Sequence, residues 1–416
     1  MTLPPRIVIV GGGFSGLAAA KALAHAPAEI LLIDRNNHHL FQPLLYQVAT
    51  AALSPADIAW PIRRILRQQS NAQVLMAEIT GIDIERKCVL MGTRAEPYDY
   101  LVLASGATHA YFGHDDWAPH APGLKQIADA TDIRHRILMA FESAEKESDG
   151  PAREKLLTLV IVGGGPTGVE MAGAISELTR VTMVADFRRI NPRKTRIVLV
   201  EAGKNLLPSF PERLSEYAKR ALEKLGVEVR LGATVTHCGA DGVRIGDEKI
   251  YAATIIWAAG VAASPAADWL GTAKDRVGRA VVGPSLEVDD RDGVFVIGDA
   301  ALVVNSQGQA LPGIAPVAKQ QGVYVGRLIA ARIQGQLLTK PFRYRNTGQL
   351  ATIGRHTAIV DIGMLRFRGR FAWWFWGLVH IYFLINIRSR TIVAIQWLWS
   401  YVTFDRGARL ITSGPK

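Results

Sequence analysis

The stretch Ile7-Val-Ile-Val-Gly-Gly-Gly-Phe-Ser-Gly16 decides how this chain folds. An apolar, β-branched run ends in glycines spaced Gly-x-Gly-x-x-Gly, and an alanine-rich stretch follows. This order predicts a buried strand, a tight turn and a helix, the context in which a dinucleotide pyrophosphate binds. Gly11 permits the turn, Gly13 lets the backbone approach the pyrophosphate, and Gly16 lets the helix pack on the strand. The free N–H groups at the helix N-terminus then face the phosphates.

A second copy of this signature lies at Leu159-Val-Ile-Val-Gly-Gly-Gly-Pro-Thr-Gly168. Here Gly163, Gly165 and Gly168 take the same three roles. A single match to so short a motif leaves open a glycine-rich turn that binds nothing. Two matches favour two dinucleotides held face to face, with electrons passing between them.

Each glycine signature is followed by a strand that ends on an acid. Asp34 ends the first of these strands and Glu201 ends the second. A carboxylate at this position binds the ribose hydroxyls of the nucleotide. Glu201 lies further along the chain than the usual offset, so we expect an insertion over residues 179–195. An acid at position 201 repels a 2′-phosphate, and the second site should therefore prefer NAD(H) to NADP(H).

The composition is typical of a globular protein with large cores. The 416 residues allow two or three domains, and 49% hydrophobic with 20% charged residues excludes a disordered chain. Cys88 and Cys238 are the only cysteines and lie outside any Cys-x-x-Cys pattern. This pattern opposes an iron–sulfur cluster and a redox-active cysteine pair, and it indicates a reducing compartment. No histidine–cysteine cluster has metal-ligand spacing, so no metal is expected.

Positive charge is concentrated in the C-terminal tail. The formal net charge is +11, and +6 of it lies between Arg366 and Arg409, together with five of the nine tryptophans. Basic charge interleaved with tryptophan and apolar runs indicates an anionic membrane surface rather than nucleic acid. The first strand begins almost at the N-terminus, which leaves no room for a targeting segment, so a bacterial protein would face the cytoplasm.

Several segments resemble the type II NADH dehydrogenases, which are single-subunit, non-proton-pumping NADH:quinone oxidoreductases. They are Phe41–Thr50, Gly165–Glu170, Gly313–Gly322, Leu350–Arg355 and the arginine- and tryptophan-rich tail. The resemblance implies an α/β fold with two Rossmann-like dinucleotide-binding domains, the second inserted into the first, and a C-terminal membrane-associating helical region. It also implies non-covalent FAD at the first glycine signature, NADH at the second, and a homodimer.

The expected domain boundaries follow these motifs. The FAD-binding domain is discontinuous, over residues 1–115 and 253–340, and the NADH-binding domain covers residues 116–252. Residues 341–416 form a membrane-anchoring and dimerisation region. The two halves repeat an apolar strand that runs into small residues, which end at Gly106 and Gly260.

By resemblance, three groups of residues carry the chemistry. FAD is expected to contact Gly11, Gly13, Gly16, Asp34, Arg35, Gln47, Thr50, Gly106, Asp299 and Ala300. NADH is expected to contact Gly163, Gly165, Gly168, Glu170, Glu201 and Gly260. Catalysis is expected to involve Glu170, Lys319, Gln320 and Gln321, with the two glutamines on the quinone side. Hydride transfer from nicotinamide to flavin is chemistry that the cofactors supply, so no acid–base pair is required.

Some of these residues have a structural alternative. Asp299 fits a cap of the following helix as well as a cofactor contact. Glu170, placed in the first turn of its helix, is favoured there by the helix dipole alone, and both roles are compatible. Lys319 either assists a developing quinol anion or points to solvent. Pro316 stands where many family members carry a glutamine, which leaves the number of polar quinone contacts open. His380 is expected to be a packing residue.

The tail contains a charge-free run, residues 372–387, bounded by arginines. As one helix it would be about 24 Å long, short of a hydrocarbon core of roughly 30 Å. A helix lying at the membrane interface, a dimer-interface helix and a short tilted span all stay open. A second segment, residues 391–404, places Gln396, Ser400 and Thr403 on one stripe, which is typical of an amphipathic helix.

The sequence thus predicts an enzyme that moves electrons from NADH through FAD to a membrane quinone without proton pumping. It would be peripheral or monotopic on the cytoplasmic face of the inner (plasma) membrane, bind anionic lipid through the tail, form a homodimer and bind no nucleic acid. One alternative is a soluble-type NAD(P)H-dependent flavin reductase with a protein acceptor, which the tryptophan-rich tail opposes. Another is a membrane-anchored flavin redox sensor. The identity of the quinone and the tolerance of NADPH stay open.

Overall fold

The structure, a computed structural model, describes residues 3–337, 340–403 and 406–411. Phe404, Asp405 and residues 412–416, which belong to the predicted tail region, lie outside the described residues. The chain forms two compact units. Unit 1 comprises Met1–Leu40, Ala59–Thr108 and Val261–Thr347, and unit 2 comprises Phe41–Ile58, His109–Gly260 and Gly348–Lys416. These units are defined by compactness, whereas the predicted domains are defined by the cofactor that each is expected to bind. The predicted domain boundaries therefore stay a prediction.

Strands and helices alternate around the two glycine turns, and runs of consecutive strands cover β5 to β10, β13 to β18 and β22 to β24. The strands are β1 (Arg6–Val10), β2 (Glu29–Asp34), β3 (His38–Leu40), β4 (Ala59–Pro61), β5 (Ala72–Met76), β6 (Gly81–Asp83), β7 (Cys88–Met91), β8 (Arg94–Pro97), β9 (Tyr100–Leu103), β10 (Ala107–His109), β11 (Thr158–Val162), β12 (Arg196–Glu201), β13 (Val227–Leu231), β14 (Val235–Gly239), β15 (Gly242–Ile245), β16 (Glu248–Tyr251), β17 (Thr254–Trp257), β18 (Val261–Ala263), β19 (Ala280–Val281), β20 (Val294–Val296), β21 (Ala301–Leu302), β22 (Gln349–Thr352), β23 (Ala358–Ile362) and β24 (Leu365–Gly369).

The α-helices are α1 (Phe14–Ala22), α2 (Leu45–Ala49), α3 (Pro55–Ile58), α4 (Ile62–Ile65), α5 (Ile127–Lys146), α6 (Gly150–Leu156), α7 (Pro166–Glu177), α8 (Glu212–Lys224), α9 (Ala266–Leu270), α10 (Ala315–Ile333), α11 (Arg370–Phe383) and α12 (Ile387–Thr403). Short 3-10 turns cover Gln42–Leu44, Asp115–Trp117, Pro192–Lys194 and Gly298–Ala300, and a π-helical turn covers Leu178–Thr182.

Unit 1 is built on a five-stranded sheet in the order β20-β9-β1-β2-β5. Its neighbouring strands are parallel, and β1 at its centre is buried from Ile7 to Val10. Strands covered on both faces need apolar side chains throughout, which explains the continuous apolar runs in the sequence. Val10 pairs with Ile33, so the first glycine turn and Asp34 emerge at the same edge of the sheet.

Helix α1 leads away from the first glycine turn and packs closely on α10. A Cβ atom at Gly322 would lie 2.1 Å from the Ser15 carbonyl oxygen, and one at Gly326 would lie 2.8 Å from that of Ala19. The two backbones approach this closely because glycine stands at both positions. The contact sets α10, which carries residues 319–321, beside the helix of the first glycine turn.

Unit 2 contains a parallel sheet in the order β13-β12-β11-β17. Val162 pairs with Val200, so the second glycine turn and Glu201 emerge together, as their counterparts do in unit 1. Two antiparallel sheets, β14-β15-β16 and β22-β23-β24, complete this unit. Each unit thus carries a Rossmann-like arrangement, residues 109–260 interrupt the sequence of unit 1, and the predicted fold class is confirmed.

The predicted insertion before Glu201 is also confirmed. Between α7 and β12 the chain forms the π-helical turn, an irregular stretch and the 3-10 turn Pro192–Lys194, with no strand among residues 183–195. Because this segment lengthens the path from the glycine turn to the strand-end acid, Glu201 reaches its usual place in space at an unusual distance in sequence.

The single helix predicted over residues 372–387 is wrong. Helix α11 ends at Phe383, Leu384 is extended with ψ of 142°, and α12 begins at Ile387. Oδ1 of Asn386 accepts the Ser389 N–H at 2.8 Å, so Asn386 caps the second helix. The charge-free run therefore contains its own helix start. No helix in the described part of the chain is long and apolar enough to cross a membrane.

Both tail helices turn apolar side chains outward. The exposed apolar residues include Phe371, Trp374, Leu378 and Tyr382 on α11 and Ile395, Leu398, Trp399 and Val402 on α12. Spacings of three and four residues put each set on one side of its helix. The polar residues of α12 do not all face solvent, because Gln396 Oε1 is buried and Ser400 lines a cavity. The three predicted polar residues do share one side of α12, and the exposed apolar residues lie on the other sides of the helix.

Candidate active site and cofactor sites

The first glycine turn is shaped to receive a phosphate group. Gly11 has φ of +104°, and a Cβ there would lie 2.3 Å from the Ala104 carbonyl oxygen, so the turn requires glycine. Apart from its chain neighbours, no described atom lies within 4 Å of the Cβ position of Gly13, which leaves open space beside the N-terminus of α1. Asp34 accepts the Gly12 N–H at 2.6 Å and the Asn36 N–H at 2.7 Å. Its carboxylate is thereby fixed next to that space.

The second glycine turn repeats this geometry in unit 2. Gly163 has φ of +110°, and the Cβ position of Gly165 again has no described atom within 4 Å. Glu201 accepts the Gly164 N–H at 2.5 Å and the Gly203 N–H at 2.6 Å. The two strand-end carboxylates therefore make equivalent pairs of backbone hydrogen bonds, although one is an aspartate and the other a glutamate.

The residues present at both turns fit dinucleotides. Helices α1 and α7 have neither a side-chain cap nor an acid in the first turn, so their N-terminal N–H groups are available to a pyrophosphate. Each anchored carboxylate keeps lone pairs for ribose hydroxyls. Gly106, with φ of +71°, follows β9 in unit 1, and Gly260 follows β17 in unit 2 beneath the Phe112 ring.

A buried histidine supports the first turn and was missed by the sequence analysis. Nδ1 of His39 lies 2.9 Å from the Gly12 carbonyl oxygen, and the Phe14 ring meets the imidazole edge-on. Burial lowers the pKa of His39 to about 4, so the ring is neutral at pH 7. A carbonyl oxygen only accepts, so Nδ1 carries the proton and donates. In the sequence, the signal for this role was the pair of adjacent histidines, His38 and His39, shortly after Asp34.

Asp299 lies on the 3-10 turn Gly298–Ala300, and Gln321 holds that turn. Oε1 of Gln321 accepts the Gly298 N–H at 2.6 Å, and Gln321 is only 1% exposed. A Cβ at Gly313 would lie 3.2 Å from Asp299 Oδ1, so the adjoining loop passes close to this carboxylate. The Gln321 oxygen is therefore occupied within unit 1, and its Nε2 is the atom left for another partner.

The neighbouring predicted residues on α10 also have structural partners. Gln320 donates through Nε2 to the Arg345 carbonyl and accepts the Arg345 N–H through Oε1, both at 3.0 Å. Lys319 is exposed, and its charge lowers the pKa of Lys21 in addition to the larger effect of burial. Pro316 lies in the first turn of α10, a position that suits proline because no backbone donor is lost.

Unit 2 contains a cavity, here called the aromatic cavity, of about 70 Å³. Its walls come from α2, α7, the β22–β23 turn and both tail helices. The lining residues are Tyr46, Gln47, Thr50, Ala52, Glu170, Ala174, Glu177, Thr352, Gly354, Arg355, Trp373, Trp376, Trp397, Ser400, Tyr401 and Arg406. Of the predicted site residues, Gln47, Thr50 and Glu170 meet here, although the sequence separates them widely.

Together with Glu177, Glu170 is one of the two acids among the described residues that line the aromatic cavity. It lies beyond the first turn of α7, which contains no acid, so its predicted first-turn position was wrong, because α7 already begins at Pro166. Burial raises the pKa of Glu170 to about 8, and a hydrogen bond from the Thr352 backbone opposes this rise only in part. At pH 7 the side chain is therefore mainly a neutral acid with a proton to donate, rather than a carboxylate held by the helix dipole.

Gln47 links two aromatic residues in this cavity. Its Nε2 donates to Tyr46 Oη at 2.9 Å, and its Oε1 accepts the Trp397 Nε1–H at 2.7 Å. Trp397 in turn stacks on Trp376 with ring centroids 5.1 Å apart. Thr50 is buried and donates through its hydroxyl to the Tyr46 carbonyl at 2.9 Å. The sequence offered no sign of these indoles as site residues, since tryptophan interleaved with arginine indicated a membrane contact.

His380 is a packing residue, as predicted. Its Nδ1 lies 2.8 Å from the Trp376 carbonyl oxygen, and burial lowers its pKa to about 4. Cys88 and Cys238 are free thiols, one in each compact unit. Burial raises the pKa of Cys238 to about 12, which keeps this thiol protonated and unreactive as a nucleophile.

Comparison with known proteins identifies the family. Residues 5–322 match the pyridine nucleotide-disulphide oxidoreductase family, and residues 346–404 match the NDH2 C-terminal domain. The type II NADH:quinone oxidoreductase NdhA of Mycobacterium tuberculosis is 44% identical over 98% of this chain and 89% of that protein. The chain belongs to the type II NADH:quinone oxidoreductases. As predicted, it is an FAD-dependent enzyme that passes electrons from NADH through the flavin to a quinone.

More distant relatives share the length and the fold. An internal alternative NAD(P)H-ubiquinone oxidoreductase A1 of Arabidopsis thaliana is 28% identical over 96% of this chain and 84% of that protein. The solved structure of NDH2 from Plasmodium falciparum in complex with NADH is 21% identical, with a TM-score of 0.88 over 98% of this chain and 100% of that one. The sulfide:quinone oxidoreductase of Aquifex aeolicus, at 14% identity and a TM-score of 0.73, has the same fold.

Proposed function

We propose that this type II NADH:quinone oxidoreductase binds FAD at the Gly11–Gly16 turn of unit 1 and NADH at the Gly163–Gly168 turn of unit 2. The matched pair of glycine turns, each with a carboxylate anchored by two backbone N–H groups, is the observation that carries the proposal. When bound, FAD accepts a hydride equivalent from NADH and delivers two electrons to the quinone.

The FAD side is completed by residues of unit 1. Asp34 binds the adenosine ribose. Arg35, the exposed residue that follows Asp34, contacts the same adenosine end of FAD. Asp299, with Ala300 on the same turn, faces the remainder of the cofactor. Gln321 acts on FAD through position, because its hydrogen bond to Gly298 holds the turn that carries Asp299.

The NADH side is completed by Glu201 and Gly260. The Glu201 carboxylate binds the ribose hydroxyls and disfavours the 2′-phosphate of NADPH by like-charge repulsion. A Cβ at Gly260 would lie 2.5 Å from the Phe112 ring, so the ring can pack beside the end of β17 only because glycine stands there.

The aromatic cavity provides the quinone side. Its indole and phenol rings offer flat apolar surface to a quinone ring, and Glu170 holds a proton at pH 7. Reduction of a quinone to a quinol takes up two protons, and Glu170 supplies one of them as a general acid. Within unit 1, Lys319 with its positive charge and Gln320, which is tied to Arg345, are the further residues that we assign to quinone reduction.

The exposed apolar stripes of α11 and α12 dock on the membrane that holds the quinone. Arg366 and Arg368 are exposed on β24 just before α11, Arg370 is exposed at the first position of α11, and Arg388 is exposed at the start of α12. Apolar side chains flanked by arginines suit a helix pair lying in an anionic lipid interface. The enzyme would work there as a peripheral homodimer on the cytoplasmic face of the inner membrane.

An anaerobic titration tests the electron path. NADH added to the purified holoenzyme should bleach the flavin absorbance, and a short-chain ubiquinone analogue added next should restore it. NADPH at the same concentration should bleach the flavin much more slowly. Flavin that NADH reduces but quinone fails to reoxidise would favour a redox sensor and overturn the proposal.

Point substitutions on the exposed stripe test membrane docking. Deleting the tail is unsuitable, because it would also remove Trp376, Trp397 and Arg406 from the aromatic cavity. Leu398→Glu and Trp399→Glu change side chains that are 59% and 63% exposed. Each substitution, and the double variant that combines them, should reduce co-sedimentation with phosphatidylglycerol vesicles while leaving reduction of a soluble quinone intact. Undiminished vesicle binding in the double variant would rule out this docking surface.

A further inference from the structure

Arg406 is a buried cation beyond the C-terminal end of α12. Its side chain is 8% exposed. Nη1 donates to the carbonyl oxygens of Thr50 at 3.0 Å and Ala174 at 3.2 Å, and Nη2 donates to Glu177 Oε2 at 3.1 Å. One guanidinium therefore joins the tail to the end of α2 and to the second half of α7.

Glu177 completes this arrangement from the last residue of α7. Its side chain is 11% exposed, and its Oε1 accepts the Arg355 backbone N–H at 2.5 Å. Burial raises the pKa of Glu177, and the positive charge of Arg406 is the strongest influence that opposes this rise. The charge on this carboxylate thus depends on the arginine that the tail supplies.

The ion pair borders the aromatic cavity. Glu177 lies seven residues after Glu170, about two helical turns, so both acids occupy the same side of α7. Glu170, Glu177, Thr50, Ala174 and Arg406 all line the cavity. Arg406 therefore binds residues that belong to the same cavity wall as the protonated side chain of Glu170.

Loss of either partner would disturb that wall. A buried charge left without its counter-charge is strongly disfavoured, so the site must rearrange, admit water or change protonation. Loss of Arg406 also removes the charged donor from the carbonyl oxygens of Thr50 and Ala174, whereas loss of the Glu177 charge leaves the guanidinium without its counter-charge. The consequence is a change of cavity shape rather than the loss of a group that touches substrate.

We propose that Arg406 and Glu177 form a positioning pair that shapes the aromatic cavity for the quinone. The C-terminal tail then has a role in quinone reduction that is separate from membrane attachment. The inference rests on the proposed function, since it takes the aromatic cavity as the quinone side of the enzyme.

The test uses the FAD-loaded, full-length enzyme and four variants. Arg406→Met removes the charge, Arg406→Lys keeps the charge without the planar fork, and Glu177→Gln keeps the shape without the charge. Arg409→Met is the matched control, because Arg409 pairs with the half-exposed Asp186 at 2.6 Å and does not line the cavity. Three quantities are measured: anaerobic flavin reduction by NADH, kcat and KM for a soluble short-chain quinone, and co-sedimentation with phosphatidylglycerol vesicles.

Arg406→Met should raise KM for the soluble quinone or lower kcat by about tenfold to 100-fold, as expected for a small misplacement of site groups. Its flavin should still be reduced by NADH at the wild-type rate, and its vesicle binding should match that of Arg409→Met. Arg406→Lys and Glu177→Gln should fall between Arg406→Met and wild type. A purely structural role would instead lower stability and affect both half-reactions together.

If Arg406→Met keeps wild-type kcat and KM for the soluble quinone, the inference is overturned. If Arg406→Met loses its FAD, wild-type values in both Arg406→Lys and Glu177→Gln would overturn it instead. Weaker vesicle binding of Arg406→Met than of Arg409→Met, with kcat and KM for the soluble quinone unchanged, would assign Arg406 to membrane attachment and overturn it too. Failure of the proposed function has a different signature, because the wild-type enzyme itself would then not transfer electrons to any quinone.

Discussion

Trp397 donates its indole N–H to Oε1 of Gln47 at 2.7 Å, although the two residues lie 350 positions apart in the sequence. This hydrogen bond joins the predicted membrane tail to a segment that family resemblance assigns to the flavin. A helix that would serve only as an anchor has no need of a buried, directional contact of this kind. In unit 2 the tail is therefore a wall of the site as well as a candidate lipid contact.

Trp397→Phe should destabilise the protein. The Gln47 oxygen would lose its indole donor, and leaving a buried acceptor unsatisfied costs about 1–3 kcal/mol. The free energy of unfolding, measured by urea denaturation of the FAD-loaded enzyme in detergent, should fall by that amount. Trp399→Phe, on the same helix but 63% exposed, is the control and should change it by less than about 0.5 kcal/mol. Equal effects of the two substitutions would contradict a special role for this bond.

Glu170→Gln should change the pH dependence of stability. Glu170 keeps its proton up to about pH 8 in the folded protein, against an ordinary pKa of 4.5. Its contribution to the free energy of unfolding is complete below pH 4.5 and is lost as the pH rises to about 8. The Tm of the wild type should therefore fall relative to that of Glu170→Gln across this range, whereas exposed Glu212→Gln should track the wild type.

The same proton should appear in the kinetics. Reoxidation of reduced flavin by quinone, followed by stopped flow, should slow in the wild type as the pH rises through about 8, because Glu170 loses the proton that it donates. In Glu170→Gln the rate should be lower and should lack this pH step. A step of the same size in the variant would assign the proton to another group.

Glu201→Ala should weaken NADH binding and reduce the preference over NADPH. A hydrogen bond to a charged group is worth about 1.5–3 kcal/mol, so KM for NADH should rise by roughly tenfold to 100-fold. The NADPH reaction should suffer less, because the like charge near the 2′-phosphate is removed. Glu223→Ala, on the surface of α8, controls for the loss of one carboxylate. An unchanged NADH-to-NADPH ratio would remove Glu201 from the ribose site.

Alanine at two glycines of the second turn should affect different properties, NADH binding at Gly165 and thermal stability at Gly168. Gly165→Ala places a methyl group in open space, so thermal stability without NADH should stay near the wild-type value while NADH binding falls. Gly168→Ala would put Cβ 1.9 Å from the Gly163 carbonyl oxygen, so this variant should lose stability whether or not NADH is present. Thermal scans with and without NADH separate the two effects. Normal NADH binding by Gly165→Ala would argue against a pyrophosphate at this turn.

Local features of the sequence were sufficient for the two nucleotide turns. The glycine spacing and the apolar run before it lie close together in sequence and constrain the backbone directly, and the acid is recognised by its place at the end of the next strand. Even the late position of Glu201 was interpreted correctly as the result of an insertion. Fold class and family followed, because these motifs and the Phe41–Thr50 segment each carry their information within about ten residues.

Other features depended on packing between distant segments. The sequence assigned Gln321 to the quinone side, and this stays a prediction; only the structure shows that its oxygen accepts the Gly298 N–H. It treated the charge-free run as one helix, whereas Asn386 starts a second one. Side-chain partners and helix breaks of this kind depend on which groups are buried together, and hydrophobic pattern alone does not specify that.

The sequence by itself determined two dinucleotide turns, their acids and the family, since backbone conformation at glycine and strand-end positions is set locally. Only the tertiary structure decided that Glu170 is a proton-holding acid and that Arg406 is buried beside Glu177. Both properties arise from loss of water around an ionisable group, which raises the free energy of the charged form unless a partner is supplied. That loss of water is created by α2, α7 and the tail together, and it belongs to none of these segments alone.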